Sequence, residues 1–211
     1  MTPESFAEKF NVSRETLGQM MIFQALLGKW QQRINLVGPA TLDDFWSRHA
    51  ADSAQIVALA PKSATTWLDL GSGGGFPGLV LAMMLAPRGG IVHLVESDER
   101  KVAFLRTVIR ETGARAQVHL SRIEALAAAQ PDFIGDIQVI TARALAALPN
   151  LLPWIEPFTN SSTIALLHKG RAWEEELTQA QQSWTLSVDV VESVTEPAAR
   201  ILKITQLMRR A

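Results

Sequence analysis

The 211-residue chain contains no cysteine. That absence excludes disulfides, zinc–thiolate sites and iron–sulfur clusters, and it removes a thiol nucleophile. Radical chemistry at a Cys-ligated cluster is therefore out of reach, as is attack on a pyrimidine through a covalent cysteine adduct. Long apolar runs are missing too: nowhere do 18 apolar residues follow one another. The first ten residues carry Glu4, Glu8 and Lys9 rather than the apolar core of a signal peptide, so a soluble, cytoplasmic protein without a membrane partner is expected. Neither sign of charge is in excess: a net charge of −1 argues against a general nucleic-acid coat protein. Repeats and low-complexity segments are absent. What is present is 47% apolar composition, enough for one full domain and a small appendage.

The stretch from Trp67 to Gly78, Trp-Leu-Asp-Leu-Gly-Ser-Gly-Gly-Gly-Phe-Pro-Gly, is the most informative part of the chain. A short apolar strand meets an acid, then a glycine-rich turn, then Pro77 at the start of an apolar helix. Glycine permits positive φ and close approach of backbone to a ligand, and proline in a first helical turn has no amide to lose. Such a turn presents free amides at a helix N-terminus to a small molecule. Two cofactor classes use it. Gly73, Gly75 and Gly78 fit the G-x-G-x-x-G of dinucleotide proteins, with Glu96 positioned to hold a ribose hydroxyl. Asp69, Gly71, Gly73 and Gly75 fit the acid-x-Gly-x-Gly-x-Gly loop that binds S-adenosylmethionine. Gly71-Ser72 intervene between strand and triplet, and Phe76 occupies room that a pyrophosphate would need. Both details favour S-adenosylmethionine.

Periodicity gives the organisation. Leu17, Met20, Met21, Gln24, Leu27 and Trp30 recur at helical spacing, and a break at Gly38-Pro39 precedes a second helical stretch over 41–60 that Pro61 closes. Strands are expected at 65–70, 91–96, 116–120, 137–142, 163–168, 186–191 and 201–207, and helices at 77–86, 98–112, 123–130, 145–155 and 172–182. Apolar strands alternating with helices make a mostly parallel sheet covered on both faces, and the last two strands form a terminal hairpin. The expected fold is a Rossmann-like α/β domain of the class I S-adenosylmethionine-dependent methyltransferase type, over residues 63–211, with an N-terminal helical extension over 1–62.

Ligands of such sheets gather outside the carboxyl ends of the strands. That rule selects Asp69 to Phe76, Glu96, Ser121-Arg122-Ile123-Glu124, Arg143 and His168-Lys169. Glu96 can accept both ribose hydroxyls; Glu124, or the backbone at Ile123, can recognise an adenine edge; Arg143 and Lys169 supply positive charge. Plainer roles stand beside these. Glu124 complements a helix dipole, Arg143 pairs with Asp69 or Asp136, and Lys169-Gly170 is a simple turn. Glu174-Glu175-Glu176 are first-turn acids without chemistry, and His93 and His119 are structural. Arg48 with Asp52, and His49 with Ser53, lie one helical turn apart. These pairs either fasten the N-terminal helices or bring Arg48 and His49 to the pocket mouth. Arg100, Lys101, Arg106, Arg110, Arg115 and Arg122 crowd one region, as solvated helix faces or as a positive surface beside the cofactor. No metal-ligand spacing occurs.

With these residues in view, the chain resembles the bacterial small-subunit rRNA guanine-N7 methyltransferases, the RsmG or GidB family. The likeness rests on Trp30 to Leu36, Arg48-His49 with Asp52-Ser53, Leu68 to Gly78, Glu96 with Lys101, Phe104 and Leu105, Ser121 to Glu124, Thr141 to Ala144, and His168-Lys169-Gly170. The resemblance implies S-adenosylmethionine as cofactor, lined by Gly71, Phe76, Ile123, Glu124 and Arg143, and a guanine of the 530 loop in 16S rRNA as acceptor. Departures at Val37 and Ala54 are expected to lie away from the pocket. Candidate RNA contacts are Arg48, His49, Arg122, Lys169 and Arg210, and a monomer is expected. Guanine N7 has a lone pair and no proton, so no general base is needed, and none is apparent; Arg143 and Lys169 are left with positioning roles. No Asn/Asp-Pro-Pro-Phe/Tyr turn, the mark of exocyclic-amine methylation, is present. A methyltransferase for small molecules or proteins, and a dinucleotide-binding regulatory module, are the alternatives.

Overall fold

Strand residues alternate between two buried faces, and that alternation organises the molecule. The computed structural model describes residues 1–129 and 137–210. β1 (Thr66–Leu70), β2 (Ile91–Glu96), β3 (Ala116–Leu120), β4 (Val139–Arg143) and β5 (Ile164–Lys169) run parallel. β6 (Trp184–Glu192) and β7 (Arg200–Arg209) form the antiparallel hairpin, and the sheet order is β3-β2-β1-β4-β5-β7-β6. Strand order reverses between β1 and β4, the place where open α/β sheets bind ligands.

Leu68, Leu70, Ile140, Ala142, Ala165 and Leu167 face one side, where α6 (Ile123–Ala129), α7 (Leu148–Ile155) and α8 (Trp173–Ser183) cover them. Trp67, Val139 and Leu166 face the other, beneath α4 (Gly78–Leu85) and α5 (Glu99–Thr112). The N-terminal helices α1 (Pro3–Phe10) and α2 (Arg14–Gln31) join that second core: Phe6, Met20, Phe23 and Leu27 lie in one apolar cluster with Leu79 and Phe104. Each such side chain contributes roughly 1.5–3 kcal/mol by burial. The N-terminal segment is therefore packed into the sheet domain's own core. No helix among the described residues is long and apolar enough to cross a membrane.

Two segments depart from expectation. The helical stretch over 41–60 is broken into a 3₁₀ turn at Pro39–Thr41, a π-helix at Phe45–Ala50, a single α turn, α3 (Ala51–Ala54), and a 3₁₀ turn at Gln55–Leu59. In the π turn the Ala51 amide reaches back five residues to the Trp46 carbonyl, so side chains beyond it are rotated relative to a regular helix. α7 starts at Leu148 rather than 145, because Ala144 adopts φ +53° and Ala147 is extended. The expected end of α6 at Gln130 lies outside the described residues.

Candidate active site

A cavity of about 1190 Å³ opens at the carboxyl ends of β1, β2, β4 and β5. Gly71, Gly73, Phe76, Glu96, Ile123, Glu124 and Arg143 line it together, as do Arg48, His49, Arg122 and Lys169. Asp69, Gly75 and Arg210 do not.

The glycine turn is held from behind. Gly73 has φ +52°, and a Cβ built there meets nothing nearer than the Gly71 carbonyl at 3.7 Å. Its amide donates to Glu96 Oε2 at 2.9 Å, while Glu96 Oε1 accepts from the Ser97 and Asp98 amides at 2.7 and 2.9 Å. A carboxylate has about four lone-pair sites. Glu96 therefore retains room for one further donor, not the two ribose hydroxyls expected of it. Asp69 stands behind the turn because it shares a strand face with Trp67. It is fully buried, its Oδ1 accepting from Thr141 Oγ1 at 2.8 Å. Its Oδ2 sits where a Cβ on Gly78 would approach to 2.6 Å and has no hydrogen-bond partner among the described residues. Burial pushes its carboxyl up to about 6, against the pull of the Thr141 and Ser72 hydroxyls.

β4 alternation carries Val139, Thr141 and Arg143 onto the face of the N-terminal helices. Arg143 accordingly meets Asp52, its NH1 lying 3.1 Å from Oδ2, rather than Asp69, which pairs with Thr141; Asp136, also considered from sequence, lies outside the described residues. Arg143 also donates to His49 Nδ1 at 2.8 Å and lies 5.3 Å above the Phe76 ring. An accepting Nδ1 places the ring proton on Nε2, which donates to the Thr41 carbonyl at 3.1 Å. His49 stacks on Phe76 with ring centroids 4.8 Å apart and is 5% exposed. Burial and the Arg143 charge push its pKa down to about 4.

The one-turn pair of Arg48 with Asp52 does not form, since the π turn swings Arg48 outward to Glu196 at 3.0 Å. Asp52 becomes a junction that sequence reasoning missed. Its Oδ1 accepts from Gln55 Nε2 and Thr195 Oγ1, both at 2.8 Å, and its backbone carbonyl accepts from His168 Nε2 at 2.8 Å. On β5, His168 shares the face of Leu166, whereas Lys169 follows Ala165 and Leu167 to the opposite face. Lys169 is therefore 6% exposed, pairs with Glu176 at 2.8 Å and donates to the Ala146 carbonyl at 2.7 Å. Glu176, given no role from sequence, also receives the Leu148 amide at 2.7 Å.

Three expectations for RNA contact are thus corrected. His49 and Lys169 are buried and engaged within the fold. Arg210 follows β7, which begins beside the end of β5 at Arg200 and runs away from it, so Arg210 lies at the opposite edge of the sheet. Arg171 and Arg200, not singled out from sequence, line the cavity, and so does Val37, expected away from it.

The fold and this site define a class I S-adenosylmethionine-dependent methyltransferase. A single-residue variant of MtNAS in complex with S-adenosylmethionine superposes with TM-score 0.60 over 89% of this chain and 72% of that one, at 16% identity. Aeropyrum pernix fibrillarin with natively bound S-adenosyl-L-methionine gives 0.53 over 68% and 67%, at 14% identity. Sequence narrows the class. The family model for GidB, rRNA small subunit methyltransferase G, matches residues 16–205, and the chain belongs to that family. It is 50% identical to the ribosomal RNA small subunit methyltransferase G of Parvibaculum lavamentivorans, over 97% of this chain and 89% of the relative. Against the protein of the same name from Rhodospirillum rubrum it is 47% identical, over 99% and 100%.

Proposed function

We propose that this enzyme transfers a methyl group from S-adenosylmethionine to N7 of a guanine in the 530 loop of 16S rRNA, presented by free rRNA or by the small ribosomal subunit. The observation that carries it is the cavity into which the ends of β1, β2 and β4 bring an open glycine, a braced acid and a fixed guanidinium.

The residues fit the cofactor. Gly71, Gly73, Phe76, Glu96, Ile123, Glu124 and Arg143 hold it, with Asp69 and Gly75 shaping the turn from behind. Gly73 leaves open space where any side chain would stand. Glu96 has capacity for one hydroxyl, and exposed Glu124 at the start of α6 offers a carboxylate. Asp52 and His49 take two of the five N–H donors of Arg143, and the others suit a carboxylate. When bound, S-adenosylmethionine supplies an electrophilic methyl on a positively charged sulfur.

The protein's part is binding, orientation and exclusion of water. A guanine N7 needs no proton removed, so alignment can supply about 7–11 kcal/mol without a general base. Both cavity histidines agree with this. His49 has both nitrogens committed, and burial holds His168 below its ordinary value. In A-form RNA, N7 lies in a deep, narrow groove closed to side chains. The acceptor guanine is therefore unpaired or drawn out of its stack. Exposed Arg122 and Arg171 and half-exposed Arg48 stand at the rim to meet its backbone.

The test is tritiated methyl transfer to small subunits and to 16S rRNA from cells lacking this protein, followed by mapping of 7-methylguanosine. Methylation of extracted proteins or metabolites but not of rRNA would overturn the assignment.

A further inference from the structure

Beside the large cavity lies a second depression, of about 430 Å³, walled by Gln31, Gln32, Arg33, Ile34, Asn35, Asp98, Arg100 and Lys101. Asn35 and Lys101 line both, so the two lie side by side. The smaller one is built from two separate pieces of chain: the turn that follows α2 and the first turn of α5.

Its charge is lopsided. Arg33, Arg100 and Lys101 stand against Asp98, and the Asp98 carboxylate is already committed. It caps α5, with Oδ1 accepting from the Arg100 amide at 2.8 Å and the Lys101 amide at 3.3 Å. Those amide bonds, the Arg100 one foremost, hold its pKa below the ordinary carboxylate range. Among the described residues only Arg100 reaches it from the side, at 3.4 Å, through a side chain that is 74% exposed. Arg33 and Lys101 make no ion pair among the described residues, and neither do they spend their side-chain donors on hydrogen bonds there. Glu99, the other acid of that first turn, does not line the depression. The positive end of the 14-residue α5 dipole points the same way.

The amide side chains divide the work. Gln31 is structural: its Nε2 donates to the Val37 carbonyl at 2.8 Å, and its Oε1 accepts from the Leu36 and Val37 amides at 2.9 and 3.1 Å. That fixes the turn, and the turn in turn places the Leu36 carbonyl where a Cβ on Gly74 would come within 2.7 Å. Gln32, Arg33 and Asn35 are left exposed along the wall. A groove with three cations, two spare amides and one capped acid, adjoining the proposed methyl-transfer cavity, is chemically suited to phosphodiester oxygens.

We infer that this groove binds the phosphodiester backbone of single-stranded RNA flanking the acceptor guanine, with Arg33 and Arg100 as its phosphate contacts and Lys101 at the junction with the cavity. The inference rests on the proposed action on rRNA. It adds to the rim cations Arg48, Arg122 and Arg171 a second backbone contact at the turn after α2 and the start of α5.

Binding of a 530-loop RNA fragment, measured by fluorescence anisotropy across a range of salt, tests it. Removing one phosphate-binding side chain should lower the log–log salt slope by about 0.7. Arg33→Ala and Arg100→Ala should each show that flattening, with a several-fold loss of affinity and an unchanged affinity for S-adenosylhomocysteine. Arg33→Lys, which keeps the charge, should keep the slope, and Arg210→Ala, at the far edge of the sheet, should match the parent protein. Circular dichroism of the variants separates misfolding from weakened RNA binding. Parental slopes in Arg33→Ala and Arg100→Ala, with normal binding by the parent protein, would overturn the groove while leaving the methyltransferase assignment standing. A parent protein that neither methylates rRNA nor binds it in a salt-dependent way would remove both.

Discussion

Asp52 holds Arg143: its Oδ2 lies 3.1 Å from the guanidinium NH1, and each of the two side chains is 17% exposed. The pair joins the segment after the π-helix to the end of β4, and its remaining bonds tie in Thr195 of the β6–β7 connection and His168 of β5. A charged pair this sheltered fixes direction as well as distance, so Arg143 keeps one orientation on the cavity wall.

Asp52→Asn is expected to keep the Gln55 and Thr195 hydrogen bonds while losing the charge opposite Arg143. A hydrogen bond to a charged group is worth about 1.5–3 kcal/mol, so a drop in melting temperature of several degrees should follow. Calorimetry should show at least a tenfold weaker affinity for S-adenosylhomocysteine. Parental affinity in the variant would mean that His49 and the Phe76 ring hold Arg143 without help.

Gly73 and Gly74 are neighbours with opposite expected phenotypes. Gly73→Val points into open cavity, so its folding cost is the left-handed backbone, roughly 1–2 kcal/mol, whereas S-adenosylhomocysteine binding should be abolished. Gly74→Ala would press its Cβ against the Leu36 carbonyl, a backbone atom that cannot step aside cheaply. It should lose stability first and bind in proportion to the folded fraction. Thermal melts beside calorimetry separate the two, and near-normal binding by Gly73→Val would remove that residue from the cofactor site.

Much of this is legible in sequence, and what is not has a physical cause. Strand positions, the hairpin and the glycine turn follow from short apolar runs, near-continuous where a strand is buried on both faces, and from turn chemistry, which act locally. The site's cations are harder. Lys169 and His168 are adjacent in sequence, yet strand alternation sends one to Glu176 and the other to Asp52. Counting outward from Leu166 and Leu167 as core residues of opposite faces would separate them. Arg210 misleads because the direction of β7 puts the chain end at the far edge of the sheet. The π turn leaves no signal in spacing, and it decides the partners of Arg48 and Asp52.

Asp69 gives the protein a stability term of unusual sign. Its folded-state pKa, about 6, is raised above the ordinary value of 3.8, so the native state holds the proton more tightly than the unfolded chain does. The stabilisation is complete below the unfolded value and is lost as pH rises through about 6, on the order of 3 kcal/mol in all. Asp69→Asn should lack this fall. Urea unfolding of both proteins at several pH values should therefore show the variant gaining on the parent between about pH 4 and 6. A constant difference between them would mean that Asp69 is not buried as a lone carboxyl.

His49 is held at about 4, and burial holds the pKa of His168 below its ordinary value, so both rings are neutral at physiological pH and above. Asp69, near 6, stands behind the glycine turn and does not line the cavity. With the proposed guanine N7 as acceptor, a lone pair that surrenders no proton, no group among the described residues of the cavity wall is left to act as an acid–base pair in that range. Single-turnover methylation of an rRNA fragment should therefore run at nearly constant rate from about pH 7 to 9, without the bell shape of a general acid–base pair. A steep limb near pH 7 would show that a titrating group takes part. His168, whose Nδ1 is buried without a hydrogen-bond partner among the described residues, would be the one to replace first, by glutamine.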